Sequence, residues 1–380
     1  MNKLYFVAPY VSEFAGRNLS CTPSSITYSN YFINSFSQIK DKELIVLSLC
    51  ASKKRTYFSK KKVNLNNHTE VYFRSLSTGW GTLITRITQI WLYLQVFFYL
   101  FVHSKKQDTI VIYHDYGLSY FYRFFRFFLR SRIVYLVGEI FNAVYDRGES
   151  SINKECQRLI NADAYIYVND IMPRLFNNTK DFAVCYGNYS YCGRQKLKDG
   201  TTHILFAGKI STGIINDAFI ALDVIKYLPS DYFLHVAGYG EDKDIEELQR
   251  RVGVINSEAG IKRVTYEGNL SGREYEDLLA KCQIGLCTRT LRNELSNYCF
   301  PSKTMVYLTH NILPICPRID ILVSSRVSSQ LAFVKGDLTP EGIANTILEE
   351  NGRINGYNNK ELLESIDKAF RDKIKNIINC

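Results

Sequence analysis

Short apolar runs that end in Gly, Asp, His or Asn, each followed by a helical stretch, recur along this chain in two series. They leave little choice of fold class. In the first series the strand-like runs are Lys3 to Ala8, Glu43 to Leu49, Glu70 to Phe73, Thr109 to Tyr113, Ile133 to Val137 and Ala164 to Val168. Residues 193–202, with Lys196, Lys198 and Gly200, show no apolar period. The second series then begins: His203 to Ala207, Tyr232 to Ala237, Val264 to Tyr266, Gln283 to Cys287 and Asn311 to Ile315. Strand and helix in alternation predict parallel sheets with helices on both faces. Ligands of such sheets sit beyond the carboxyl ends of the strands.

A chain of 380 residues exceeds one ordinary core and suits two α/β domains of similar size. With 46% hydrophobic and 22% charged residues it is expected to fold and not to be disordered. The expected boundaries are 1–192 for an amino-terminal domain, 193–202 for a linker and 203–356 for a second domain. A helical tail over 357–380 is expected to pack back toward the first domain. The basic run Lys53 to Lys62 reads as loop.

The net charge of +10 is uneven. Residues 1–150 hold 19 Lys and Arg against 9 Asp and Glu, whereas the remainder holds 28 of each. A basic first half fits a polyanionic partner: nucleic acid, an acidic substrate or an anionic membrane face. The basic segment carries no nucleic-acid-binding motif. Ten Cys are scattered without C-x-x-C spacing. The first residues do not read as an export signal, and free thiols then point to the cytoplasm.

Two apolar stretches bear on membranes. Ile87 to Val102 contains Gln89 and Gln95 and falls short of the ~20 apolar residues a span needs. It reads as a helix that is buried or lies on a surface. Phe121 to Leu129 is aromatic, with Arg123, Arg126 and Arg130 at helical spacing. With Arg132, these arginines beside Phe124, Phe125, Phe127 and Phe128 fit either lipid headgroups or solvent.

Three ordered pieces of the second series resemble the nucleotide-binding domain of GT-B glycosyltransferases, and among them glycosyltransferase family 4 most. They are Ile204-Leu-Phe-Ala-Gly-Lys209, then Leu234-His-Val-Ala-Gly-Tyr-Gly240. The third runs from Val264-Thr-Tyr-Glu-Gly-Asn-Leu-Ser271 through Leu278 to Leu286, and on to Phe300-Pro-Ser-Lys303 and Tyr307-Leu308. They cover about 120 residues, and it is their order rather than any one of them that is specific. The resemblance implies two Rossmann-like domains facing across a cleft. It also implies transfer of a hexose from a nucleotide-diphosphate sugar, with retention and without a metal or other cofactor. UDP ranks ahead of GDP. The basic, aromatic first domain adds an acceptor glycan on a polyprenyl diphosphate, at the inner membrane face, as in bacterial O-antigen or lipopolysaccharide assembly. No Asp-x-Asp metal motif appears outside Asp242-Lys-Asp244, at a helix start.

The chemistry of these pieces agrees. A diphosphate needs close backbone and fixed cations, which Gly208, Lys209 and Gly238 supply on the strand side. Pro301, Ser302 and Lys303 open a helix whose amides can face an anion, and Arg289 is a further cation. Gly268, Asn269 and Leu270 match the loop that holds the base. Relatives carry two Glu separated by seven residues, which fall by position at Tyr298 and Val306. Neither is acidic, and Glu294 stands near the first as a donor-sugar ligand. In the first domain His114, Asp115 and Glu139 lie at strand ends, with Gly16 and Arg17 after the first strand. His114 and Glu139 are the acid–base candidates, with Lys209 the catalytic cation; Asp115, Gly16 and Arg17 belong to the acceptor side. Each also has an ordinary reading, as a strand-end His, a helix cap, a helix-terminus charge or a surface turn. Two other functions stay open: a GT-B-shaped sugar-nucleotide epimerase, and a non-catalytic scaffold for polysaccharide assembly.

Overall fold

The computed structural model describes residues 2–15, 18–53, 56–194, 196, 199–213, 217–288 and 296–379. The chain divides into two compact units. Unit 1 comprises Met1–Asn188, Leu295–Phe300 and Lys368–Cys380; unit 2 comprises Tyr189–Glu294 and Pro301–Asp367.

Unit 1 is built on an eight-stranded sheet. Its strands are β1 (Asn2–Ala8), β2 (Lys42–Ser48), β3 (Lys61–Asn64), β4 (Thr69–Tyr72), β5 (Thr109–Tyr113), β6 (Arg132–Val137), β7 (Ala164–Tyr167) and β8 (Asp181–Val184). They lie in the order β3-β4-β2-β1-β5-β6-β7-β8. All pairs are parallel except β3 with β4. The inner strands are buried on both faces, which is why they read as unbroken apolar runs such as Leu4 to Ala8. The basic run expected as loop contributes β3, an exposed antiparallel edge strand whose Lys61 and Lys62 suit an edge that must not pair further.

Helix Pro23–Ser37 starts where Thr22 accepts the Ser25 N–H and Pro occupies the first turn. Its Phe32 and Phe36 pack on Phe6 of β1. The last helix, Lys360–Asn379, begins in unit 2 and ends in unit 1. Its final turn is gripped there: Lys42 Nζ donates to the Ile378 carbonyl (2.8 Å) and Arg132 Nε to that of Ile377 (3.1 Å). Cations on the last carbonyls complement the helix dipole.

Unit 2 carries a six-stranded, wholly parallel sheet. It comprises β9 (Thr202–Lys209), β10 (Tyr232–Tyr239), β11 (Val264–Gly268), β12 (Ile284–Leu286), β13 (Leu313–Cys316) and β14 (Ala332–Phe333), in the order β11-β10-β9-β12-β13-β14. Cys192, expected as the last residue of the first domain, and Lys196, expected in the linker, are both fastened to this unit. Cys192 N–H donates to the Thr309 carbonyl (2.7 Å). Lys196 Nζ donates to those of Leu279 (3.2 Å) and His310 (2.9 Å), and burial pushes its pKa down to about 8.

Phe370, from the last helix, is buried in unit 1 against Tyr31 and Phe32. Phe370→Ala should cost about 3–5 kcal/mol, seen as a lower urea midpoint of unit 1. An unchanged midpoint would mean that the helix end contributes nothing to that core.

Candidate active site

The carboxyl ends of β9, β10 and β11 form the best-built site of unit 2. In the β9–β10 ladder Gly208 lies opposite Gly238. Gly238 has φ +151°, and a Cβ there would stand 1.8 Å from the Gly208 carbonyl oxygen, so no side chain fits. Above Gly208 the bare backbone is crossed by Lys303: a Cβ on Gly208 would meet Lys303 Nζ at 2.4 Å. The same ammonium sits 4.0 Å from the centroid of the Phe206 ring, a cation–π contact that holds it in place.

Lys303 belongs to the first turn of helix Ser302–Thr309, whose N-cap, Pro301, makes no side-chain capping bond. The helix is fixed to the sheet by buried Tyr307. Its hydroxyl donates to the Leu205 carbonyl and accepts the Ala207 N–H, both at 3.3 Å. A helix amino terminus, an ammonium and a bare strand end thus converge, the combination that receives a phosphate.

Lys209, the neighbour of Gly208 in an extended strand, is exposed, and its charge acts on Asp244. Asp244 accepts both the Thr212 N–H and its hydroxyl, and these bonds hold its carboxyl below the ordinary range. At the end of β11, Gly268 has φ +81°, Asn269 is exposed and Leu270 half-buried. Tyr266, which the motif reading passed over, donates its hydroxyl to the Gly238 carbonyl (3.0 Å) and so fixes the glycine pair.

Unit 1 gathers His114, Asp115 and Glu139 at the ends of β5 and β6. His114 is buried, and its Nε2 donates to Glu155 Oε1 (2.8 Å). Glu155 is also buried and accepts the N–H groups of Phe141 (3.0 Å) and Asn142 (2.9 Å). Burial alone would raise this carboxyl; the His114 bond and the two amides outweigh it, and the pKa lies below its ordinary value. The imidazole therefore anchors the loop that carries Glu139. Asp115 is also engaged, its Oδ1 accepting the Leu118 N–H (2.8 Å) and the Tyr93 hydroxyl (2.7 Å). Glu139 itself is half-buried beside Tyr113.

Arg158 stacks on Tyr120 (4.1 Å) and Tyr116 (5.3 Å) nearby, a cluster for which the motifs gave no signal. Glu155 did leave one: an acid on the stripe Ile152, Glu155, Leu159, whose two neighbours are buried leucine and isoleucine. Residues just before the Pro301 helix belong to unit 1, where Asn169 Nδ2 donates to the carbonyls of Asn297 (3.0 Å) and Cys299 (2.9 Å). Gly16, Arg17, Arg289 and Glu294 lie outside the described residues. Tyr298 and Val306 are both half-buried.

No protein-family model and no curated protein matches the chain. Solved structures do. One is trehalose-6-phosphate from E. coli bound with UDP-2-fluoro glucose (12% identity, 100% of this chain, 99% of that chain, TM-score 0.67). Another is the alpha,alpha-trehalose 6-phosphate synthase of Burkholderia multivorans (13%, 100% and 96%, TM-score 0.63). A third is Anabaena Alr3699/HepE in complex with UDP and glucose (13%, 100% and 97%, TM-score 0.59). The chain has the fold of the GT-B glycosyltransferases: two α/β units with mostly parallel sheets. At these identities the likeness extends to the fold and not to glycosyltransferase family 4.

Replacing Glu155 by Ala strands the His114 ring and two amides in the interior. The variant should lose about 3–5 kcal/mol of unit 1 stability at neutral pH. Because the carboxyl is depressed in the folded state, its charge stabilises fully above its ordinary 4.5 and is lost as pH falls through the lower folded value. The gap between wild type and variant in urea titrations should therefore narrow below pH 4.5. A pH-independent gap would remove the ionic part of this account.

Proposed function

We propose that this protein is a glycosyltransferase. It moves a hexosyl group from a UDP-sugar to a hydroxyl of a glycan carried on a polyprenyl diphosphate, in bacterial surface polysaccharide assembly at the cytoplasmic face of the membrane. The observation that carries the donor half is the Lys303 ammonium lying across Gly208, beside the amino terminus of its own helix. Two GT-B neighbours, one solved with UDP-2-fluoro glucose and one with UDP and glucose, support a UDP-sugar donor.

In this reading the β-phosphate rests on Gly208 and Gly238. As the bond from the anomeric carbon to the phosphate oxygen breaks, negative charge grows on that oxygen. Lys303 and the first amides of the Ser302 helix stabilise it. The acceptor oxygen bonds to the anomeric carbon from the side the phosphate leaves, and its proton passes to the departing phosphate. This gives retention, as family 4 resemblance implies, and calls on no metal. Among the described residues no group of three or more His, Cys, Asp and Glu is arranged to hold one.

Lys209 reaches the diphosphate from the strand end as a second cation. The Gly268 to Leu270 turn receives the base through its backbone. Glu139 contacts the acceptor sugar. His114 and Asp115, both tied into unit 1, act as positioning residues.

Donor hydrolysis with a panel of nucleotide sugars, and calorimetric titration with UDP, test this reading. Lys303→Ala should lower turnover by about 10²–10³, the size expected when one charge-stabilising contact is lost, and weaken UDP binding. Lys209→Ala should do so to a smaller degree. Turnover at the wild-type rate in Lys303→Ala would end the assignment, and absence of UDP binding by the wild type would favour the scaffold.

A further inference from the structure

Helix Thr82–His103 is long and apolar enough to cross a bilayer by length and composition. Its packing in unit 1 excludes that use. Leu92, Tyr93, Val96, Phe97 and Leu100 form a stripe buried in the unit. The opposite stripe faces outward: Leu83, Ile87, Ile90, Trp91, Phe98, Phe101 and Val102 are all exposed, Leu83 by 70% and Val102 by 71%. Their spacing follows the helical period, so they form one continuous line.

The line widens at its carboxyl-terminal half. Phe124 and Phe128 of helix Tyr122–Phe128 pack on Phe97 (4.5 and 6.0 Å) and are themselves partly exposed. Phe127, 82% exposed, packs on Phe128 (4.9 Å). Both tryptophans of the chain, Trp80 and Trp91, lie at or on the same helix and are exposed. A contiguous apolar and aromatic face of this kind is rare on a surface meant for water alone.

Charge names the occupant. No Asp or Glu occurs from residue 71 to 107, nor from 116 to 138. Arg126 is taken by Asp163 and Arg132 by a carbonyl. Arg86, Lys105, Lys106, Arg123 and Arg130 are exposed and form no ion pair among the described residues. Aromatic and aliphatic side chains flanked by unneutralised cations, with acids excluded, match a layer that is oily below and negative above.

We infer that the two helices form a docking face by which unit 1 lies on an anionic lipid bilayer, with Thr82–His103 in the plane of the headgroups. A second copy of the chain fits less well, because two such faces would bring like charges together. The purpose of the face rests on the proposed lipid-linked acceptor; the face itself stands on unit 1 alone.

The test uses the full chain and vesicles of phosphatidylcholine, with or without phosphatidylglycerol. Because Trp91 lies on the face and Trp80 just before its helix, tryptophan emission should shift to the blue with phosphatidylglycerol vesicles, and the protein should sediment with them. Pure phosphatidylcholine and high salt should weaken both signals. Phe98→Ser with Phe127→Ser, both surface changes, should reduce binding at least about tenfold. Removal of Arg123 or Arg130 as Gln should reduce it about fivefold each. Unshifted emission and no sedimentation with the wild type would overturn the inference. So would full binding by the Phe variant, or a dimer that the Phe variant dissolves. Donor hydrolysis without vesicles should be unchanged in the Phe variant. A wild type that docks but does not hydrolyse donor would count against the proposed function and not against the docking face.

Discussion

The proposed donor site depends on a register. Strand β10 lies along β9 for eight consecutive pairs, from Tyr232 with Thr202 to Tyr239 with Lys209, without a slip. That register sets Gly238 against Gly208 at the sheet's carboxyl edge. The bare patch there exists because two side chains are missing at the same rung. A shift by one residue would bring Tyr239 or Ala237 to the Gly208 rung and turn the wrong face of β10 toward it. Lys303 can lie across the strand only because nothing rises from Gly208, and Phe206, two residues earlier on the same face, gives the ammonium a surface to rest on. Tyr307, one turn further along the helix, sets the height of the lysine through its bonds to Leu205 and Ala207. The cation is thus positioned by the sheet and not by its own flexible stem, which lowers the entropy lost when an anion arrives.

Unit 1 handles its charged groups in the opposite manner. Glu155 is a carboxylate taken out of water, which is tolerable only when its acceptor sites are filled. His114 fills one, and the amides of Phe141 and Asn142 fill two more. The result is a rigid corner between the ends of β5 and β6 and helix Glu149–Arg158. Asp115 does similar work with Leu118 and Tyr93. His114 and Asp115, polar groups at the sheet edge, are thereby tied into the fold, and Glu139 lies half-buried at the same edge.

The strands of both sheets were legible because parallel strands covered on two faces show as continuous apolar runs, as in Ile110 to Ile112 or Ile204 to Phe206. Strands β3, β8 and β14 were not: the first two are four-residue edge strands with half or more of their side chains exposed, and β14 has only two residues, so none carries such a run. The motif reading put both Lys209, by adjacency to Gly208, and Lys303 on the phosphate; it is Lys303, nearly a hundred residues on, whose ammonium lies above the glycine. Pro301, Ser302 and Lys303 were legible as a helix start; that the lysine reaches Gly208 was not, because no sequence pattern encodes how a helix sits on a sheet. Glu155 was legible only as an acid on an otherwise apolar stripe, between Ile152 and Leu159, and its partners were not. The chain's return to unit 1 for Leu295–Phe300, between β12 and the lysine's helix, leaves no compositional trace either.

The excess of positive charge in the first 150 residues can be divided by what each group touches. Lys42 and Arg132 cap the end of the last helix, and Arg126 neutralises Asp163. These cations belong to the fold and would be present on any partner. Arg86, Arg123 and Arg130 form no ion pair among the described residues, and they lie in or beside the two helices of the apolar face, in stretches of sequence without an Asp or Glu. Evenly spread charge would speak only for solubility; charge left over at one oily surface speaks for a particular kind of neighbour. The residues of the proposed phosphate cradle lie in unit 2 and those of the proposed docking face in unit 1, so the two proposals rest on separate residues. Under the proposed function, such a division keeps the nucleotide end common to the fold while the surface of the other unit sets where, and on what carrier, the acceptor is met.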